Sequence, residues 1–301
     1  MKRTFISTAC AILIMALSAT SCTNEDVYPV KAQTNQEAYD ELRSEIKELN
    51  QKHLKQNPPQ STVLLKEKWK KFFKWFAVIG SDALATFAFG SINVTAGASA
   101  SICAAQKLNL INPNKKPAIS INSTLDPNNP YGQLPSYSQF GTGADAGYLH
   151  NLIISDVYQQ YGNRMFDLNT NDLFNAINTS AENNGAIPSR NQQEMNRIIS
   201  TFQYAFDNSE NLEQFSSYIS ERYPNYKNEI AIVSEVVDYM QYTDPEKNNE
   251  EYMTNAFTIV NNSPLPETSK ISIRSGISVA NASAQLWSAG GTLVGPEETA
   301  E

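Results

Sequence analysis

The chain has 301 residues, of which 41% are hydrophobic and 18% are charged, a composition typical of a folded protein and not of a disordered one. This length is enough for one large or two modest domains, each with a hydrophobic core. The formal net charge of -8 argues against a general nucleic-acid binder, because such a protein needs clustered Lys and Arg side chains to displace counterions.

The N-terminus has the three parts of an export signal. Lys2 and Arg3 form a positive region, a short apolar region follows, and small residues then lead to Cys22. The apolar region is too short to predict a transmembrane helix. We therefore expect residues 1–21 to be a lipoprotein signal peptide and Cys22 to be lipidated. The alternative is ordinary secretion with a free Cys22, because Ala19 stands where lipoprotein signals usually have a larger aliphatic residue.

Residues 22–33 are polar and acidic, and they predict a flexible tether similar to that of surface-exposed bacteroidete lipoproteins. We expect the lipid to hold the protein at the outer membrane or cell surface. Cys10 would leave with the signal and Cys22 would carry lipid, so that Cys103 is the one thiol left in the mature chain. No intramolecular disulfide is then expected, and stability must come from packing.

An N-terminal helical segment is predicted over residues 34–111, and its first helix spans residues 34–56. Thr34 and Glu37 have the spacing of a capping box, and a proline pair after Asn57 ends the helix. Apolar residues recur every three or four positions and predict one buried stripe: Tyr39, Leu42, Ile46, Leu49 and His53. We interpret His53 as a packing residue, since no second metal ligand lies near it in the sequence.

Residues 64–80 form a basic, aromatic helix in which lysines alternate with bulky rings. Such a helix either packs in the core or lies in a lipid interface with its lysines toward anionic headgroups. We favour packing, because an apolar stripe at helical spacing is first of all a packing signal. The candidate membrane contacts under the second interpretation are Trp69, Lys70, Lys71, Phe72, Lys74, Trp75 and Phe76.

Residues 81–106 are rich in Ala, Gly, Ser and Thr, and no charged residue stands between Asp82 and Lys107. The stretch is long enough to cross a bilayer, which needs roughly 20 residues. Rows of small residues let helices approach closely, both in membranes and in soluble proteins. We favour a central buried helix over insertion, because Asp82 and Asn93 are costly in hydrocarbon and the average hydrophobicity is modest.

Residues 112–143 contain five prolines among Asn and Ser, which forbids a long helix and predicts an irregular linker. Its aromatic residues Tyr131, Tyr137 and Phe140 either line a binding surface or hold the segment against the body. Helical patterns then fill a C-terminal domain over residues 144–289, with predicted helices at 144–161, 170–180, 190–207, 209–222, 226–242, 246–261 and 268–289. Residues 290–301 form a loose tail. The fold class is therefore mostly α, with bundle-like domains joined by a long Pro/Asn-rich segment.

One short motif stands out in the C-terminal domain. Gly147, His150 and Asn151 form a G-x-x-H-N pattern, and a small-residue helix closes with Ser283-Ala284-Gln285-Leu286-Trp287. Together with the Lys/Trp-rich stretch that runs into the Gly/Ala-rich segment, this pattern resembles a family of exported bacteroidete lipoproteins. The resemblance implies no particular activity. From the residues alone, His150 is interpreted as a structural histidine.

Motifs for known chemistry are weak. A Cys103–His150 pair lacks a neighbour that would lower the pKa of the thiol. Asp167, Asn169 and Asn171 imitate the start of a calcium loop, but the glycine and the final carboxylate of such a loop are missing. Two histidines and a lone cysteine make a poor zinc site, and no carboxylate pair is singled out for glycoside hydrolysis. We predict no metal, no cofactor and no identifiable catalytic residue.

The leading hypothesis is a lipid-anchored surface lipoprotein with a binding or structural role. It would contact the membrane through its lipid and take a protein or glycan partner, and nucleic acid is excluded. The alternative is a membrane-active, toxin-like protein that inserts through residues 64–106. A third hypothesis is a hydrolase whose site the sequence does not reveal.

Overall fold

Helices dominate the fold and confirm the mostly α prediction. The computed structural model describes residues 36–56, 78–80, 83–86, 94–110, 119–121, 136–189, 191–240, 242 and 249–289. Within these ranges the α-helices are α1 (Gln36–Gln56), α2 (Val94–Leu110), α3 (Ala146–Tyr161), α4 (Thr170–Asn183), α5 (Gln192–Asp207), α6 (Leu212–Arg222), α7 (Lys227–Met240), α8 (Glu250–Asn262) and α9 (Glu267–Leu286).

Two short strands pair beside these helices. Strand β1 (Ile119–Ile121) lies antiparallel to β2 (Trp287–Ala289), with Ile121 opposite Trp287. The last predicted helix therefore ends three residues early, where the chain turns into β2. Ile271-Ser272-Ile273, where the sequence alternates like a strand, lies inside α9 instead. The structure also has three short 3-10 helices, Ser138–Phe140, Gly162–Asp167 and Pro224–Tyr226, and helical residues at 78–80 and 83–85.

Asparagine side chains begin three consecutive helices. Asn169, Asn191 and Asn211 each accept a hydrogen bond from a backbone N–H in the first turn of α4, α5 and α6. These bonds satisfy donors that the helix itself leaves unpaired.

Helix α9 lies at the centre and packs against α3, α7 and α8. Helix α1 packs against α7 and α8 through the stripe predicted from its periodicity, whose members are all buried: Tyr39, Leu42, Ile46, Leu49 and His53. Helix α6 packs between α5 and α7. The described residues all belong to one unit, residues 33–301, so the N-terminal helical segment and the C-terminal helical domain share a core.

Helix α2 is buried on every side by α3, α4 and α5. Its residues from Val94 to Ala105 are all buried, and its small side chains let three helices approach it closely. Only its C-terminal end reaches the surface, where Lys107 pairs with Asp207 of α5. In the described part of the chain no helix has the length and apolar character needed to cross a bilayer.

Several predictions concern residues outside the described ranges. They include the signal peptide, the lipidated Cys22 and the tether, the basic aromatic stretch up to residue 77, most of the linker, and the tail over residues 290–301. The candidate membrane contacts are therefore not located: Trp69, Lys70, Lys71, Phe72, Lys74, Trp75 and Phe76.

Candidate functional site

The G-x-x-H-N motif lies where α3 crosses α9, and we call this contact the α3–α9 junction (Gly147, Asn151, Ser278 and Ala282). A side-chain carbon added at Gly147 would lie 2.3 Å from the backbone oxygen of Ser278 and 2.7 Å from Cβ of Ala282. Real Cβ atoms do not approach other atoms so closely. Glycine is therefore required at position 147 because the backbones of the two helices touch there.

Ser278 ties the two helices together at this contact. Its hydroxyl accepts a hydrogen bond from the backbone N–H of Gly147 at 2.9 Å and donates one to the carbonyl oxygen of Ala144 at 2.6 Å. Gly147 lies in the first turn of α3, where the helix leaves backbone N–H donors unpaired, and Ala144 lies two residues before the helix begins. A serine from α9 thus caps the start of α3 from outside that helix.

Asn151 makes the next link along the junction. Its Nδ2 donates to the carbonyl oxygen of Ala282 at 2.9 Å, and its Oδ1 lies 2.9 Å from Nδ1 of His150. Because Nδ2 is the donor to Ala282, Oδ1 must accept, and the proton of the His150 ring therefore lies on Nδ1. Both side chains are fully buried. The histidine and asparagine are thus held as one hydrogen-bonded unit inside the helix packing.

A second glycine precedes the junction and shows the same close approach. Gly143 has φ of +92°, and a Cβ there would lie 2.4 Å from Oγ of Ser275. Contacts therefore advance in the same direction along both helices, from Gly143 with Ser275, through Gly147 with Ser278, to Asn151 with Ala282. The α3–α9 junction is a parallel helix crossing built from small residues. Its polar side chains cap the backbone of α3 and hold the two helices together, so their role is structural.

Arg274 forms a buried ion and hydrogen-bond cluster that the sequence analysis missed. It is 2% exposed, its Nε donates to the carbonyl oxygen of Thr142 at 3.0 Å, and its Nη1 donates to Oδ1 of Asn261 at 2.6 Å. Its remaining nitrogen pairs with Glu267. The cluster fastens the segment before α3 onto α8 and α9. The sequence feature that could have indicated this cluster is Arg274 itself, a single arginine within a long run of small and apolar residues.

The aromatic residues of that segment lie against the body of the protein. Tyr137 is buried, and its ring centroid lies 5.1 Å from that of Phe257 in α8. Phe140 stacks on the same Phe257 ring at 5.4 Å. For Tyr137 and Phe140 the geometry therefore favours attachment of this end of the linker over a binding surface, whereas Tyr131 lies outside the described residues.

The one thiol in the described residues lies in α2. Cys103 is 4% exposed, and burial raises its pKa to about 12, because an apolar environment disfavours the thiolate. The thiol is therefore protonated at neutral pH and unsuited to nucleophilic catalysis. The environment of Cys103 is that of a small hydrophobic core residue.

The calcium-like sequence forms a helix cap. Oδ1 of Asn169 accepts hydrogen bonds from the backbone N–H groups of Asn171 and Asp172, each at 3.0 Å. Nδ2 of Asn169 also donates to the carboxylate of Asp172 at 2.7 Å. The side-chain oxygen of Asn169 is therefore engaged in the helix cap, and that of Asn171 accepts a hydrogen bond from Nε2 of Gln192. Among the described residues, no group of three or more His, Cys, Asp and Glu side chains is placed to hold a metal ion.

Comparison with protein-family models, with curated proteins and with solved structures finds no match to this chain.

Proposed function

We propose that this chain is an exported lipoprotein, anchored by lipid on Cys22, whose helical body has a binding or structural role. The observation that carries the proposal is the burial of α2. The segment with the best claim to enter a bilayer contributes to the core, and the proposed anchor is therefore the N-terminal lipid. The signal-like N-terminus and the polar tether after Cys22 support export.

Binding is preferred to catalysis because the candidate catalytic groups are engaged in packing. His150 is bonded to Asn151 within the α3–α9 junction, and Cys103 is held as a neutral thiol. Nucleophilic catalysis requires a nucleophile and a base that both reach the substrate. These groups are buried, so the hydrolase hypothesis loses its best residues. A protein or glycan partner fits the acidic, folded body better than nucleic acid does.

The membrane-active alternative would require α2 to leave the core. Insertion of α2 would break its contacts with α3, α4 and α5, together with the hydrogen bonds from Gln106 to the carbonyl oxygens of Met165 and Leu168. It would also expose apolar surface on three partner helices to water, which is unfavourable. The buried arrangement therefore favours the lipid-anchored role.

Metabolic labelling with an alkyne analogue of palmitate tests the lipid anchor. We expect the full chain, expressed in a bacterium with a lipoprotein pathway, to incorporate the label and to partition into detergent. Cys22→Ser should abolish both results, since it removes the acceptor sulfur. Cys103→Ser is the matched control and should label like the unaltered chain. Label retained in Cys22→Ser, or absent from the unaltered chain, would contradict the proposal.

A further inference from the structure

The end of α1 is attached to α7 and α8 through an aromatic cluster around His53. The His53 side chain is 5% exposed and lies edge-on to two tyrosine rings. Its ring centroid is 5.4 Å from that of Tyr252 in α8 and 6.2 Å from that of Tyr239 in α7. The two tyrosine rings stack on each other at 4.0 Å. The histidine therefore fills the space where three helices meet.

The polar groups around His53 are bonded to one another and not to its ring. Tyr252 donates its hydroxyl proton to Oδ1 of Asn50 at 2.7 Å, and Nδ2 of Asn50 donates to the carbonyl oxygen of Glu235 at 2.8 Å. Nε2 of His53 is buried and has no hydrogen-bond partner among the described residues. A neutral ring tolerates this site, but a charged ring would bury an N–H donor without an acceptor.

Charged groups face the cluster from all three helices. Glu251 of α8 raises the pKa of His53, and Lys52 of α1 lowers it. On α7, Glu235 forms ion pairs with Arg43 and Lys47 of α1. Asp238, also on α7, raises the pKa of Tyr252 through its negative charge.

Burial is the largest of these effects and lowers the pKa of His53 from its ordinary value of 6.5. Release of α1 returns the ring to water and restores that ordinary value. The released state therefore binds the proton more readily than the docked state. Docking of α1 is therefore strongest above the ordinary pKa of His53 and weakens as the pH falls through that value.

We propose that His53 makes the docking of α1 onto α7 and α8 sensitive to pH, so that mild acid loosens α1 from the helical body. Helix α1 directly follows the proposed tether, and its 21 residues span about 30 Å when helical. Loosening α1 would lengthen the link between an N-terminal anchor and the rest of the protein. The inference goes beyond the proposed function and holds whether or not Cys22 carries lipid.

Hydrogen exchange of the α1 amides tests the proposal on the chain in its exported form. Rates are compared at about pH 7.5 and about pH 5.5 after correction for intrinsic exchange. We expect the protection of α1 to fall by up to about tenfold, because pH 5.5 lies one unit below the ordinary pKa of His53, while the protection of α9 changes less. His53→Phe, which keeps an aromatic ring, should abolish the fall. Lys55→Gln, an exposed change on the same helix, should preserve it.

Equal protection of α1 at both pH values in the unaltered chain would overturn the proposal. So would an unchanged fall in His53→Phe, or a fall that Lys55→Gln abolishes. A second measurement covers the case in which His53→Phe does not fold. The chain has two histidines, so NMR titration of the unaltered protein gives two ring signals. The proposal would also be overturned if neither signal titrated below the ordinary pKa of 6.5.

Discussion

Replacing Gly147 with alanine is expected to lower the free energy of unfolding by about 3 kcal/mol, at the upper end of overpacking effects. The new Cβ would meet the backbone oxygen of Ser278 at 2.3 Å, and backbone cannot rotate away as a side chain can. Helices α3 and α9 would have to separate, which would also weaken the bond from Asn151 to Ala282. Denaturant unfolding followed by circular dichroism measures the change.

Gly80→Ala is the matched control for this substitution. Gly80 also lies in a helical stretch, but a Cβ there would meet only side-chain atoms of Phe215 and Leu212, at 3.4 and 3.5 Å. These side chains can move by a few tenths of an ångström, and alanine favours the helix by up to about 1 kcal/mol. We therefore expect a change within about 1 kcal/mol. Equal losses in the two variants would show that the close helix approach at Gly147 is not the cause.

Replacing Trp287 with alanine is expected to cost about 4 kcal/mol, as is typical for deletion of a large buried ring. Trp287 is 1% exposed, and its ring centroid lies 6.4 Å from that of Phe166. Its Nε1 donates to Oγ of Ser101 in α2 at 2.8 Å, so the residue joins the C-terminal strand to the buried helix. The same denaturant titration measures the loss.

Two milder variants separate the ring from its hydrogen bond. Trp287→Phe retains most of the apolar volume and removes the donor, whereas Ser101→Ala removes the acceptor and leaves a buried N–H. We expect Ser101→Ala to cost about 1–3 kcal/mol in the unaltered chain and clearly less in the Trp287→Phe background. Additive losses would contradict a direct bond between the two side chains.

Much of the fold followed from helical periodicity. The stripe of α1 was predicted residue by residue, because an amphipathic helix on the surface of a body repeats every 3.6 residues. The bounds of α2 were not predicted, since its apolar character is spread over all its faces and gives no period to read. The helix was expected over residues 81–106, whereas α2 runs from Val94 to Leu110. Lys107 is charged but lies within α2, where it reaches Asp207 at the surface.

The candidate site was predicted in its residues but not in its geometry. Gly147, His150 and Asn151 stood out as a pattern, but their partners Ser278 and Ala282 lie about 130 positions away in the sequence. Arg274 was missed because its partners come from three separate segments. Helix spacing identifies residues on one face of a helix, whereas contacts between distant segments depend on how the helices cross.

The reactivity of Cys103 tests the central claim, the burial of α2, most directly. In a Cys22→Ser chain in its exported form, a maleimide should leave Cys103 unmodified at neutral pH, with and without anionic vesicles, and modify it once guanidinium unfolds the protein. This result is expected because the thiol is buried and its pKa is raised to about 12. Rapid modification of the folded chain, or modification triggered by vesicles, would contradict a core position for α2.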